Sequence, residues 1–240
     1  MGEDFCSAVK DFFASGEILK QLNHFIIALV PKSANANSAA DYRPISCCNV
    51  TYKVISKLLA GRLAHVLNDI ISPSQNAFLG GRLMADNINL MQELLRSYGR
   101  KRVSPRCTIK IDFRKAFDLI QWSFLRDLLH HLGFPARFVH LVMKCVESAS
   151  FSVCIICMEY FSRLLKSNTQ HSGFHFHPKC QALGISHLGF TDDIILLCRC
   201  DMVSVSTILQ QLRVFGESSG LVINAAKSSI FFAGVTGDMK

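Results

Sequence analysis

The sequence predicts an α+β fold, and three observations carry that expectation. Apolar residues recur at helical spacing in several separate stretches. Two apolar runs, residues 185–190 and 194–198, flank Thr191, Asp192 and Asp193 in the manner of a β-hairpin. Helices interleave with such antiparallel hairpins instead of alternating with single strands, as a doubly wound sheet would require.

Taken in order, Phe5, Val9, Phe12 and Phe13 fall at helical spacing before Gly16, so the first residues read as an amphipathic helix. A short apolar strand over 25–30 follows, and Pro31 with the polar stretch 32–40 makes a loop. Val50, Val54, Ile55, Leu58, Leu59 and Val66 mark a longer helix; Ile88, Met91, Leu94 and Leu95 mark another over 84–98. The basic residues Arg96, Arg100, Lys101, Arg102 and Arg106 form a candidate hinge ahead of a strand over 107–112. Two helices, 122–132 and 135–146, are separated by Gly133. Residues 150–156, rich in Val, Ile and Phe, read as a strand, and the alternation over 174–177 suits another. Beyond the hairpin come a helix over 203–215 and a last strand over 229–235, with no internal repeat or low-complexity segment.

Half of the 240 residues are hydrophobic, enough for a sizeable core, yet the apolar runs are far shorter than a bilayer span needs. Lys and Arg number 26 against 18 Asp and Glu, a net charge of +8. That balance suits a protein that meets phosphate backbones, although many basic domains bind no nucleic acid. Ten cysteines at irregular spacing, behind a start that lacks the regions of a signal peptide, point to free thiols in a reducing compartment. The expected location is intracellular, nucleus or cytoplasm, with no membrane and no protein partner inferred.

Acidic residues are scarce, which makes Asp192 and Asp193 the most unusual local feature. Adjacent carboxylates repel each other unless a cation lies between them, and hard oxygen ligands suit Mg²⁺; the plain alternative is a solvated turn. A second acidic site is Asp112, expected to end its strand just before the chain turns into a helix. If it met the hairpin, Asp112 and Asp192 could clamp two Mg²⁺ ions about 4 Å apart, the arrangement used in nucleotidyl transfer. His171, His175, His177 and Cys180 offer zinc-type ligands, but their spacing fits no familiar finger.

Residues 41–49 (Asp-Tyr-Arg-Pro-Ile-Ser-Cys-Cys-Asn), 75–82, 110–118 and 190–193 resemble, in order, successive motifs of the reverse transcriptase of non-LTR (LINE-type) retrotransposons, most closely the kind abundant in plant genomes. Segments 22–32, 53–63, 157–165 and 219–228 are similar as well, so nearly the whole chain is covered. The resemblance implies a right-hand polymerase, with a fingers-like part over 1–105 and a palm-like part over 106–240, an antiparallel palm sheet with packed helices. It implies an RNA template, a DNA primer, deoxynucleoside triphosphates and two Mg²⁺ ions. Asp112, Asp192 and Asp193 would be the metal-binding carboxylates. Phe117 would lie under the incoming sugar and exclude ribonucleotides, with Phe190 beside the aspartate pair. Arg82 would hold the triphosphate, Lys57 and Arg43 would contact phosphate or template, and Lys227 would protonate the departing pyrophosphate.

The sequence departs from that family in places. A stretch similar to Arg-Gly-Leu-Arg-Gln-Gly-Asp-Pro-Leu-Ser-Pro, expected between the strand near 151–155 and the helix near 157–165, is absent, as though deleted near 155–156. Thr191 replaces a small residue, usually Ala, and no thumb is expected. The sequence therefore reads as an incomplete, inactive fingers-and-palm fragment. The alternatives are a non-catalytic nucleic-acid-binding remnant, or an active two-metal polymerase if the missing stretch reflects a gene-model error.

Overall fold

The structure, a computed structural model, describes residues 2–19, 22, 26–35, 37–38, 41–76, 79–96, 98–100, 103–114, 116, 119–146, 153–169, 173–190 and 193–235, of which 153–155 are described as backbone only. It falls into two compact units, Met1–His65 with Gly133–Ser150, and Val66–Leu132 with Phe151–Lys240.

In the first unit, α1 (Gly2–Ser15) precedes a two-stranded antiparallel ribbon of β1 (Ile26–Pro31) and β2 (Tyr42–Cys47). Asp41 closes the loop between them. Its carboxylate accepts from the backbone N–H groups of Asn37 and Ser38, and those bonds hold its pKa below the usual carboxylate value. β2 was not expected from the sequence. Pro44 argues against a central strand but is admissible in a ribbon whose strands are both edges. α2 (Val50–Ile70) begins in this unit and ends in the other. Phe12, Tyr52, Ile55 and Leu59 pack with Leu141 and Cys145 of α5 (Ala136–Val146), and the Tyr52 hydroxyl donates to the Cys145 carbonyl at 2.7 Å.

The second unit is built on a five-stranded antiparallel sheet. Its central strand β3 (Arg106–Arg114) pairs on one side with β5 (Asp193–Cys198), which pairs in turn with β4 (His187–Phe190). On its other side β3 pairs with β6 (Val222–Ile223) and with β7 (Ser229–Ala233), two short strands that follow each other along the same edge. Because side chains alternate, Ile109, Ile111, Phe113, Ile194 and Leu196 point to one face, all of them buried. That face meets α4 (Trp122–His131), α6 (Val153–Thr169) and α7 (Met202–Ser219), whose Phe215 lies 5.8 Å from Phe113 and 5.0 Å from Phe161. On the other face, Leu188 and Leu197 pack under Met91 and Leu94 of α3 (Met84–Leu95). Gly220, at φ 80°, ends α7 and turns the chain into β6; a Cβ there would lie 2.8 Å from the Leu119 carbonyl oxygen.

This sheet and its packed helices bear out the α+β expectation, with four corrections. Of the strand expected over 150–156, residues 153–156 are helical instead, the first turn of α6, and 150–152 lie outside the described residues. The unbroken apolar run hides the period, which emerges only in the buried set Cys157, Phe161 and Leu165, spaced by four. Residues 174–177 make only an isolated bridge, from Phe176 to Cys198. Asp112 does not end its strand, since β3 runs to Arg114, and among the described residues the next helix begins at Trp122. Arg106 is no part of a solvated basic hinge: it is 2 % exposed, and its guanidinium donates to the carbonyls of Tyr98, Arg100, Val103 and Ser104. Lys101 and Arg102 lie outside the described residues. The helices at 84–98 and 203–215 are placed as expected, the first ending earlier, at Leu95, and the second reaching Ser219. Among the described residues no helix is long and apolar enough to cross a membrane.

Candidate nucleotidyl-transfer site

Asp112 and Asp193 are direct partners in the β3–β5 register. Directly opposed residues of an antiparallel pair share a face, with Cα atoms about 4.5–5.5 Å apart, so the two carboxylates project from the same side of the sheet. Both are half-buried. The face they share is the one that α3 covers further along, at Leu188 and Leu197. Asp193 therefore stands in the strand, and the register of Phe190 with Asp193 leaves positions 191 and 192 between β4 and β5. Asp192, Thr191 and Phe117 lie outside the described residues. Phe190, opposite Asp193, shares its face and is partly buried against the α3 cluster.

The other flank of Asp112 is unusual. β6 ends opposite Phe113 and β7 begins opposite Lys110, and residues 224–228 loop out between them. The loop is tied to Asp112 by its backbone. Asn224 N–H donates to the Asp112 carbonyl at 2.8 Å, and Asp112 N–H donates to Ser228 Oγ at 3.1 Å. Ser228 Oγ donates in turn to the Asn224 carbonyl, which also accepts from Lys227 N–H. Lys227 is thus exposed on a turn anchored to the backbone of Asp112. The sequence reading passed over Asn224 and Ser228; the signal available was an Asn and a Ser at the two ends of a turn, where such residues bond to backbone.

The hairpin that carries Asp193 is fixed from outside. Gly189 N–H donates to the Ser74 carbonyl, the Gly189 carbonyl accepts from Asn87 Nδ2, and Gln75 bridges to Gly189. A Cβ on Gly189 would lie 2.7 Å from Gln75 Cγ, so the close approach requires glycine. His187 Nε2 meets Ser162 Oγ of α6 at 2.9 Å, and burial pushes its pKa down to about 4. Arg82 holds the same loop from beneath: Nη1 donates to the Ser72 and Gln75 carbonyls, and Nη2 to those of Asn68 and Ile71. Lys57 and Arg43 are exposed on α2 and β2 of the first unit. Of the rival metal set, His177 is wholly buried, its Nδ1 3.8 Å from Cys180 Sγ, and burial lowers its pKa to about 4; His171 lies outside the described residues.

Comparison with known proteins bears on family and fold. The family described as Reverse transcriptase (RNA-dependent DNA polymerase) matches residues 30–236. The chain is 24 % identical to the uncharacterized 149 kDa protein of transposon TX1 from Xenopus laevis, over 95 % of its own length and 19 % of the relative's. It is 31 % identical to the retrovirus-related Pol polyprotein of the type-2 retrotransposable element R2DM from Drosophila melanogaster, over 88 % of the chain and 21 % of that protein. It therefore spans about a fifth of the length of these relatives. The fold is similar to that of telomerase from Candida tropicalis in complex with a fragment of telomeric RNA, with TM-score 0.56, 12 % identity, and 98 % of this chain and 45 % of that one covered. An apo telomerase from the same organism gives TM-score 0.52 at 11 % identity, covering 90 % of this chain and 51 % of that one.

Proposed function

The chain belongs to the reverse transcriptase family, and from that premise we propose that it is the fingers-and-palm portion of an RNA-directed DNA polymerase from a LINE-type retrotransposon of the plant kind, inactive as it stands. The register of Asp112 with Asp193 carries the polymerase reading. Two carboxylates on one face, half-buried and side by side, are a hard oxygen donor set that fits a divalent cation such as Mg²⁺. Asp112 and Asp193, with Asp192, would hold it; when bound, such ions stabilise the attacking and departing oxygens of nucleotidyl transfer.

The protein's own groups divide the remaining work. Lys227, on the turn anchored to Asp112, would give a proton to the departing pyrophosphate, a role assigned by resemblance. Phe190, opposite Asp193, and Phe117 are assigned to the incoming nucleotide by resemblance, Phe117 to its sugar. Arg82 is assigned to the triphosphate, which must draw its guanidinium from at least one of four carbonyls. Lys57 and Arg43 would contact template phosphates. Residues 1–105 act as fingers and 106–240 as palm, on an RNA template with a DNA primer and deoxynucleoside triphosphates.

Inactivity follows from positioning. α6 begins where a strand and a glycine- and glutamine-bearing stretch are expected, so the wall beside the incoming nucleotide is missing. A misplacement of about 1 Å can cost about a hundredfold in rate. The same observation favours, as second reading, a remnant that binds nucleic acid without copying it. The test is Mg²⁺-dependent primer extension on RNA by the chain, its Asp192→Ala variant, and a version with the stretch restored near 155–156. Only the restored protein is expected to extend; extension by the chain itself above the Asp192→Ala background overturns inactivity, and none by any version overturns the polymerase reading.

A further inference from the structure

At the end of β3 opposite to Asp112, two clefts lie side by side. One, of about 310 Å³, is lined by Glu93, Arg96, Arg100, Val103, Arg106 and Lys179. The other, of about 200 Å³, is lined by Ser104, Phe174, Phe176, Pro178, Gln181 and Arg199, among others. Val103 and Lys179 line the first while their chain neighbours Ser104 and Pro178 line the second, so the clefts share a wall. The floor of the first is rigid. Arg106 is saturated by backbone carbonyls, and Lys179 Nζ donates to the carbonyls of Glu93 and Arg96 at 2.7 and 3.0 Å. At its rim stand Arg100, exposed, and Arg96, whose side chain is 77 % exposed. In the second cleft Phe174 and Phe176 meet edge to face, centroids 5.2 Å apart and both part-exposed, beside the Gln181 amide and the exposed Arg199.

Cations beside aromatic rings and an amide are the equipment for a phosphate followed by a base. An acidic peptide would use the arginines and leave the rings idle. We propose that these clefts bind consecutive nucleotides of a single-stranded polynucleotide, with a phosphate at Arg96 and Arg100 and a base against Phe174 and Phe176. The proposal rests on the nucleic-acid function above and adds a second contact to it. Arg106 lies six residues along β3 from Asp112 and on the same face, about 20 Å away at about 3.3 Å per residue. That is about six stacked nucleotides from the reacting end at about 3.4 Å each. The site would hold a strand that has not yet reached the carboxylates, or has left them.

The test uses the full chain and fluorescent 12-nucleotide oligouridylate and oligothymidylate, read by anisotropy across a salt series, with 4-thiouridine photocrosslinks mapped by mass spectrometry. Three variants are compared: Phe174→Ala/Phe176→Ala, Arg100→Ala, and Arg199→Ala, the last two at exposed positions that cannot unfold the protein. The aromatic variant should bind about tenfold more weakly. The arginine variants should each lower the salt slope by about one, and crosslinks should fall within 174–181. The RNA and DNA arms show which strand occupies the site. Equal affinity in all three variants, or crosslinks elsewhere only, overturns the second contact and leaves the polymerase reading standing. No binding of either oligonucleotide by the chain removes both. Equal competition for the clefts by a polyglutamate peptide overturns the assignment to nucleic acid.

Discussion

Ser228 contributes one oxygen, and that oxygen holds the amide of Asp112. Ser228→Ala loses that bond and the one its hydroxyl donates to the Asn224 carbonyl, so it should cost about 1–3 kcal/mol in urea unfolding, while Ser228→Thr retains most of it. Unchanged stability in the alanine variant would deny these bonds. A second residue-scale prediction concerns His187 and His177, both buried and both with pKa lowered from 6.5 to about 4 by desolvation. In the unfolded chain each takes up a proton below about 6.5, and in the folded protein only near 4, so the unfolded state binds more protons between those values. Stability is level above pH 6.5 and falls as pH drops toward 4, by up to about 1.4 kcal/mol per pH unit for each histidine. Urea midpoints between pH 7 and 4.5 should show that slope, and His187→Gln should reduce it by about half. The carboxylates themselves were legible in the sequence, because Asp192 and Asp193 stand between two apolar runs. Which strand position opposes Asp112 was not, since register is a property of two segments, and Asp193 lies 81 residues from Asp112.

At the scale of elements, the close approach of Gly189 to Gln75 is the joint between the 72–76 loop and the hairpin. Gly189→Ala must push a buried side chain aside, at an expected cost of about 1–3 kcal/mol in urea unfolding, with earlier proteolysis near residues 72–82. A neutral effect would show that the loop docks by its backbone alone. The long helices α2, α4, α5 and α7 were legible because each buries one stripe and exposes the other, so sequence period and packing agree. The β4–β5 hairpin was legible for a similar reason, two apolar runs about a short polar gap. β2 was hidden by Pro44 and β6 by having only two residues; of α6 the helix expected near 157–165 was legible, and only its opening turn was hidden, by β-branched and apolar residues with no polar face to set the period. In α6 packing overrides propensity: Cys157, Phe161 and Leu165 need the helical spacing to reach the core.

For the molecule as a whole, the excess of eight positive charges predicts that the proposed binding of polynucleotides weakens steeply as ionic strength rises. Not every cation counts toward it. Arg106, which the sequence places among the exposed basic residues, is enclosed by carbonyls, whereas Arg100 is exposed. Arg100→Ala should lower the salt slope and leave the melting temperature unchanged. Arg106→Met should do the reverse, costing about 3 kcal/mol or more by stripping carbonyls of their donor. Paired thermal melts and salt titrations separate the two, and a changed slope without a changed melt for Arg106→Met would return that residue to the binding surface.

The loop at 224–228 grips Asp112 by its backbone. The amide proton of Asp112 is held by a side chain of the loop and not by a ladder carbonyl, although it sits in the middle strand of a sheet. Its hydrogen exchange should consequently report the loop and not the strand. When the loop lifts, Asp112 should exchange early while Ile109 and Ile111 on either side of Lys110 remain protected, so that a single amide resonance times the opening of the Lys227 turn.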